Sequence, residues 1–302
     1  MSELHIFDMM AFVHAGHVNK YSYLSQTMHV GAGWQTLYIP TGGASLLFNK
    51  LYEVTGKGDV VVVTDRNPTI KKDMIPGYKS NRSYSHEISV DKAATEYILQ
   101  QCGIQLFARE GYEADDIAYS LVKDLHDKYD HIYLYTGDSD WYFMVDNTVS
   151  IMPSSSTSKT VTLETFEDMT GYYYNTITLT KICEGDSSDC IPGLGKEVSD
   201  MILEKLNTPA IRRLLGNKDM VLNMFHQFFP AYEYQVHNVF PLYVKDLNHE
   251  CSVPDKRMIC NFGCAIKNKR FSGRMSPSFD ITQHTARLCE NGVYILKEGD
   301  EV

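Results

Sequence analysis

No stretch of this 302-residue chain approaches the roughly 18 consecutive apolar residues that a membrane span requires. The N-terminal MSELHIFDMMAFVHAG also lacks a basic segment followed by a long apolar run, so no secretory signal is expected. The expectation is a soluble, cytoplasmic protein with no membrane contact. Cysteine is sparse and scattered: Cys102, Cys183, Cys190, Cys251, Cys260, Cys264 and Cys289 make an odd total of seven, which argues against a disulfide framework and for reduced thiols. Cys260, Cys264, His284 and Cys289 match none of the usual zinc-finger spacings, and no zinc site is expected there. There is no internal repeat, and no low-complexity tract beyond the brief serine run at 154–156. Positive charge is also in deficit. The 28 Lys and Arg against 38 Asp and Glu give a formal charge of −10, at first sight the wrong sign for a partner built of phosphates. With 43% hydrophobic and 22% charged residues, the chain otherwise suits one large core, or a core plus a smaller module.

The acidic excess is not spread evenly. Residues 4–7, 60–64 and 131–136 are short, apolar and rich in β-branched or aromatic side chains, and longer helical segments separate them. That pattern predicts buried parallel strands of an α/β sheet. Each of these strands runs into aspartate: Asp8 after the first, Asp65 after the second, Asp138 and Asp140 after the third. The acids therefore stand at the carboxyl edge of the sheet, where α/β proteins bind ligands. A helix over 114–129, with Ile117, Leu121 and Leu125 on one face, places Glu113, Asp115 and Asp116 at its N-terminal end. A second helix is predicted over 44–54, capped by Thr41-Gly42-Gly43, two further strands over 148–152 and 160–163, and another helix over 198–206. Beyond Gly171 the texture turns to loops and short helices, which suggests a domain border.

Asp186 and Asp189, in GDSSDCIPGLG, complete a set of nine acids in unusual contexts. Two unit charges about 4 Å apart repel by about 4 kcal/mol at an effective dielectric of about 20, so such a set needs counter-charge. Carboxylates without interwoven histidine or cysteine suit hard ions such as Mg²⁺ or Mn²⁺ rather than Zn²⁺. Pairs of such ions commonly serve phosphodiester hydrolysis, one activating water and the other stabilising the leaving oxygen. Any one of these motifs alone is ordinary turn chemistry. An EF-hand starting at Asp138 is excluded by Tyr142 and Phe143, which replace a required oxygen ligand and a required glycine.

Asp8, VVVVTDR, YKSNR at 78–82, EADD at 113–116, TGDSD and GDSSDCIPGLG, in this order, resemble the metal-dependent 5'-nucleases. That family includes flap endonucleases, the 5'-3' exonuclease domain of bacterial DNA polymerase I and phage exonucleases of the ribonuclease H type. The resemblance covers residues 1–205. It implies a PIN-like α/β nuclease domain, with a mainly parallel central sheet flanked by helices, over residues 1–176. A helix-three-turn-helix DNA-binding module and a C-terminal helical region would follow over 177–302. It implies that Asp8, Asp65, Glu113, Asp115, Asp116, Asp138, Asp140, Asp186 and Asp189 hold two Mg²⁺ ions, which Mn²⁺ can replace, with Asp116 and Asp138 essential to catalysis. Lys79 and Arg82 fall on the basic pair that contacts the scissile phosphate. On one helix face, a turn apart, they could neutralise charge developing on phosphorus. Tyr78 falls on an aromatic that stacks on a terminal base, with core packing as the alternative. Gly193, Leu194 and Gly195 would offer bare backbone N–H groups to a duplex phosphate, assisted by Lys196.

The implied activity is that of a 5'-3' exonuclease or structure-specific flap endonuclease with ribonuclease H activity. Its substrates would be 5'-flap or nicked duplex DNA and RNA:DNA hybrids. Single-strand-binding or other replication proteins are further expected partners of a monomeric, phage-encoded enzyme. The length leaves no room for a polymerase domain, so a free-standing nuclease is expected. Lys267, Lys269, Arg270 and Arg274 around Phe271 are either a DNA contact or a solvated tail. The alternatives are a PIN-type ribonuclease for single-stranded RNA and a catalytically silent nucleic-acid-binding protein.

Overall fold

Val60, Val61, Val62 and Val63 are all fully buried, and they alternate between two apolar clusters: Val61 and Val63 in one, Val60 and Val62 in the other. Burial on both faces is what an unbroken run of valines encodes, and it requires helices on both sides of the sheet. The computed structural model describes residues 2–251 other than 19–22, 31–32, 41, 84–85, 155–158, 172–173, 175, 213, 215–216, 248 and 250, together with Ile259 and Leu296–Lys297.

The central sheet contains β1 (Glu3–Asp8), β4 (Asp59–Val63), β5 (Leu106–Phe107), β6 (His131–Thr136) and β7 (Val149–Pro153), in the order β5-β4-β1-β6-β7. Every neighbouring pair is parallel. One face is covered by α5 (Ala114–Leu125), through Ile117, Ala118 and Leu121. The other is covered by α1 (Met9–Val18), α2 (Gly42–Val54) and α4 (His86–Gln101), through Phe12, Val13, Leu47, Leu51 and Leu99. An antiparallel hairpin of β2 (Tyr23–Val30) and β3 (Gly33–Pro40) lies between α1 and α2 in sequence, and β3 also pairs with β8 (Leu296–Lys297). The short α3 (Thr69–Met74) follows β4, and α6 (Phe166–Thr170) follows β7.

The C-terminal helices are α7 (Ile177–Glu184), α8 (Lys196–Leu206), α9 (Pro209–Arg212), α10 (Lys218–Phe228) and α11 (Glu233–Val239). Leu179, Ile182, Ile202, Leu206, Val221, Phe225, Val236 and Phe240 give them an apolar cluster of their own, which Phe143 joins from the sheet side. Past α11 the chain returns along α5: Val244 N–H donates to Ser120 Oγ (2.8 Å), and Tyr243 Oη to Asp124 (2.7 Å).

Two expectations need correction. The strand foreseen over 160–163 is a single bridge from Val161 to Ile151, since Thr162 and Thr165 bond to each other in a local turn. The helix foreseen to residue 129 stops at Leu125 and tightens into a 3₁₀ turn, His126–Lys128, in which His126 Nε2 lies 2.8 Å from Asp146. At α2, the Gly43 N–H is capped from a distance by buried Asp91 of α4 (2.9 Å); Thr41 lies outside the described residues. Cys102, Cys183, Cys190 and Cys251 carry free thiols. No helix among the described residues is long and apolar enough to cross a membrane.

Candidate metal centre

β4, β1 and β6 are adjacent and parallel, so their C-terminal ends deliver Asp65, Asp8 and Asp138 to one edge of the sheet. One threonine sets two of them: Thr136 Oγ1 accepts the Asp138 N–H (3.0 Å) and donates to Asp8 Oδ2 (2.8 Å). Asp8 Oδ1 also accepts the Ala11 N–H at the start of α1 (3.2 Å). Asp65 Oδ1 accepts the Ala114 N–H at the start of α5 (2.8 Å), which ties the second strand end to the next acidic segment. Asp138 accepts the Asp140 N–H (3.1 Å), opening a 3₁₀ turn that brings Asp140 to the same side.

At the N-terminus of α5, oxygens of Glu113, Asp115 and Asp116 lie within 4.8 Å of one another. The ammonium of Lys71, on α3, is held by all three, at 2.8 Å from Glu113 and 3.0 Å from both Asp115 and Asp116. Asp116 is fully buried. Its two oxygens accept the N–H groups of Glu113 (3.0 Å) and Leu242 (2.6 Å), so it also fastens the C-terminal segment to α5.

Lys79 and Arg82 do not share a helix face. Pro76 disfavours helical geometry in Ile75, which is extended (φ −121°), and Gly77 is left-handed (φ 79°), so residues 78–81 form a turn with Lys79 itself at φ 52°. The turn still brings both cations to the acids: Lys79 to Glu113 and, at 3.5 Å, to Asp189; Arg82 to Asp189 at 2.6 Å. Of the two readings open for Tyr78, the structure has the packed one. Its ring lies against Ile75 and Ile191, and its hydroxyl sits between the carboxylates of Glu113 (2.5 Å) and Asp189 (2.8 Å), within reach of both for its one proton.

Asp186 and Asp189 enter from the loop between α7 and α8. Gly185 makes that loop possible: at φ 73°, ψ −158°, a Cβ there would lie 2.3 Å from Ile191 O. Lys181, in the last turn of α7, bridges Asp140 (2.7 Å) and Asp186 (3.0 Å). The expectation of bare N–H groups along 193–195 fails at Leu194, whose N–H donates to Cys183 O (2.9 Å) and so closes the end of α7. Gly193 and Gly195 are exposed, and Lys196 points into solvent and pairs with Asp200 (2.7 Å).

The cleft, of about 350 Å³, is lined by Asp8, Asp65, Glu113, Asp115, Asp138 and Asp140 together with Lys79 and Arg82; Asp186 and Asp189 line an adjoining recess. Burial and the charge of Asp65 push the Asp8 carboxyl up to about 7, and burial and Asp138 do the same for Asp140. Burial and Asp115 raise Asp116 to about 7, and burial also raises Asp65 and Asp138. Glu113 is drawn down to about 2: burial opposes its charge, but Lys71 and Lys79 outweigh it. Lys79 is pushed up to about 12, its burial outweighed by Glu113 and Asp189. Burial, with neighbouring carboxylates, raises all three strand-end carboxyls, Asp8, Asp65 and Asp138, so nearby positive charge would favour their ionised forms, and an all-oxygen donor set fits hard divalent cations.

The nine acids foreseen from the sequence all lie in or beside this cleft. Lys71, Lys181 and Thr136 were not foreseen. Only the phase of the TGD turn hinted at Thr136, while the lysines sit in segments, TIKKDM and ITLTKICE, that read as ordinary amphipathic helices. Cys260, Cys264, His284 and Cys289, and the basic group at Lys267, Lys269, Arg270, Phe271 and Arg274, lie outside the described residues.

A family model described as "5'-3' exonuclease, N-terminal resolvase-like domain" matches residues 4–171. DNA polymerase I of Caldicellulosiruptor bescii is 31% identical over 186 residues, spanning 58% of this chain and 22% of the polymerase. The 5'-3' exonuclease of Buchnera aphidicola subsp. Schizaphis graminum is 28% identical over 182 residues, 59% of this chain and 62% of that protein. The chain thus spans less than two-thirds of the length of either relative. Among solved structures, the flap endonuclease of bacteriophage T5 in a complex with DNA and metal ions has the same fold, with a TM-score of 0.54 and 16% identity over 95% of this chain and 98% of that one.

Proposed function

The chain belongs to the 5'-3' exonuclease N-terminal resolvase-like family, whose matching span holds every acid of the cleft except Asp186 and Asp189, and we propose that it is a metal-dependent 5'-nuclease. The reading is that it hydrolyses a phosphodiester near a junction of duplex and single strand, in 5'-flap or nicked DNA or an RNA:DNA hybrid. The observation that carries it is the convergence of Asp65, Asp8 and Asp138 on one sheet edge, in a cleft that Lys79 and Arg82 also line. Divalent cations held by the carboxylates, Mg²⁺ in this reading with Mn²⁺ as a substitute, would supply Lewis acidity toward water and the scissile phosphate. The chain's own residues do the rest. The Thr136 hydroxyl and the amides of Ala114 and Asp140 fix the carboxylates of Asp8, Asp65 and Asp138, so no reorganisation is needed when charge develops. Lys79 and Arg82 are poised to exchange their carboxylate partners for a phosphate oxygen.

On this reading residues 1–176 form the catalytic domain. Residues 177–302 hold the duplex, a division supported by the separate apolar cluster of the C-terminal helices. Exposed Gly193 and Gly195 remain candidate phosphate contacts there, together with Lys196. The test is a titration of Mg²⁺ against a labelled 5'-flap duplex, an RNA:DNA hybrid and a single-stranded RNA. Metal-dependent release of short 5' products from the first two, with the third left intact, is expected. Cleavage of the single-stranded RNA alone would move the chain to the PIN-type ribonucleases, and no cleavage at any Mg²⁺ or Mn²⁺ concentration would leave only a binding role.

A further inference from the structure

The nine carboxylates fall into two groups according to what already partners them. Asp8, Asp65 and Asp138 are held by neutral donors: the Thr136 hydroxyl and the backbone amides of Ala11, Ala114 and Asp140. The other six are each tied to a cationic side chain. Lys71 holds Glu113, Asp115 and Asp116; Arg82 and Lys79 hold Asp189; Lys181 holds Asp140 and Asp186.

Lys181 differs from the others in what it joins. Asp140 comes from the turn after β6 and Asp186 from the loop after α7, and both direct an oxygen at one ammonium that is only 12% exposed. A cation at that point is what links the two segments. Lys71, by contrast, is enclosed by three acids that all belong to one helix terminus, and it serves as a fixed counter-charge.

We propose that Lys181 is an internal cation standing in for a second divalent ion, so that an ion is held between Asp140 and Asp186 only when the ammonium is displaced. This inference rests on the metal-centre reading above. An incoming ion meets a cost either way. If the ammonium stays, a single and a double positive charge repel at short range; if it leaves, its charge-assisted hydrogen bonds to Asp140 and Asp186, and a longer one to Ser139 Oγ, are lost. The ion held by Asp8, Asp65 and Asp138 meets no such cost, because Lys181 bonds to none of the three. Uptake in the free protein is therefore stepwise, one ion tight and the next weak. A substrate phosphate gives the displaced ammonium a new partner, so substrate and second ion favour each other's binding.

Lys181 is thus a positioning residue whose effect is read in ion binding rather than turnover. The experiment is a titration of the metal-stripped full chain with Mn²⁺, following free Mn²⁺ by electron paramagnetic resonance. Wild type is expected to take up one ion at low concentration and a second only at much higher concentration. Lys181→Met, which keeps the aliphatic stem and removes the charge, should tighten the second ion by about tenfold or more and leave the first unchanged. Lys181→Arg keeps the charge and should keep the wild-type isotherm. Lys181→Gln, also uncharged, takes the place of Lys181→Met if that variant does not fold, with the same tightening expected. Superimposable isotherms for wild type and the uncharged variant, or equal shifts in the uncharged and Arg variants, overturn the proposal while leaving the metal centre intact. Absence of Mn²⁺ uptake in every variant overturns the metal centre itself, and this inference with it.

Discussion

Asp138 and Asp116 each have another acid of the cluster close by in sequence, Asp140 and Asp115, yet their surroundings give them different duties. Asp138 accepts the Asp140 N–H and faces the open cleft. Replacing it by Asn removes a charge where the reading requires one: turnover on a 5'-flap duplex should fall by about a hundredfold or more, with DNA affinity in the absence of metal unchanged or improved. Turnover equal to wild type would remove Asp138 from the site. Asp116 has both oxygens filled by the amides of Glu113 and Leu242. Asn there turns an N–H₂ toward a donor that needs an acceptor, so Asp116→Asn should also lower stability by about 1–3 kcal/mol, read as a lower melting temperature. A melt identical to wild type would show that the two amides do not depend on it. These acids were legible in the sequence because each follows an apolar strand or opens a patterned helix. Lys71 and Lys181 were not: nothing local distinguishes them from solvated helix lysines, and only the tertiary approach of α3 and α7 to the acids gives them a function.

At the level of elements, the three central strands were legible because burial on both faces demands unbroken apolar runs, and the strand ends carried the acids with them. The β2–β3 hairpin was not, since its alternation is interrupted by polar residues on both strands, YLSQTMHV and GWQTLYIP. The 78–82 turn was misread as helix although Pro76 and Gly77 announce a break. The loop after α7 depends on a signal that the sequence does show, Gly185, but its necessity emerges only from the approach of Ile191 O. Gly185→Ala should cost about 1–3 kcal/mol in backbone strain alone, before the clash is relieved. Because that loop carries Asp186 and Asp189, the same variant should weaken Mn²⁺ uptake. Thermal melts and Mn²⁺ titration together check it; a stable variant with unchanged uptake would mean that the loop has an alternative path.

For the molecule as a whole, an overall charge of −10 coexists with four cationic side chains, Lys71, Lys79, Arg82 and Lys181, drawn into the acid cluster. The remaining shortage of positive charge makes stability depend on pH. Folded Asp8 keeps its proton to about pH 7, whereas an unfolded aspartate releases it near about pH 4. Between these limits the folded chain binds more protons, so the Asp8 contribution favours folding below about pH 4 and is lost as pH rises toward 7. In metal-free buffer, Asp8→Asn should therefore gain stability relative to wild type across that window; a gap that does not change with pH would contradict the burial of an ionisable Asp8. The most direct test of the metal centre is anomalous diffraction at the manganese edge from crystals grown with Mn²⁺. Density is expected within coordination distance of the Asp8, Asp65 and Asp138 carboxylates, at the C-terminal edge of β1, β4 and β6. A cleft without anomalous density, its acids still satisfied by lysine, threonine and backbone donors alone, would contradict it.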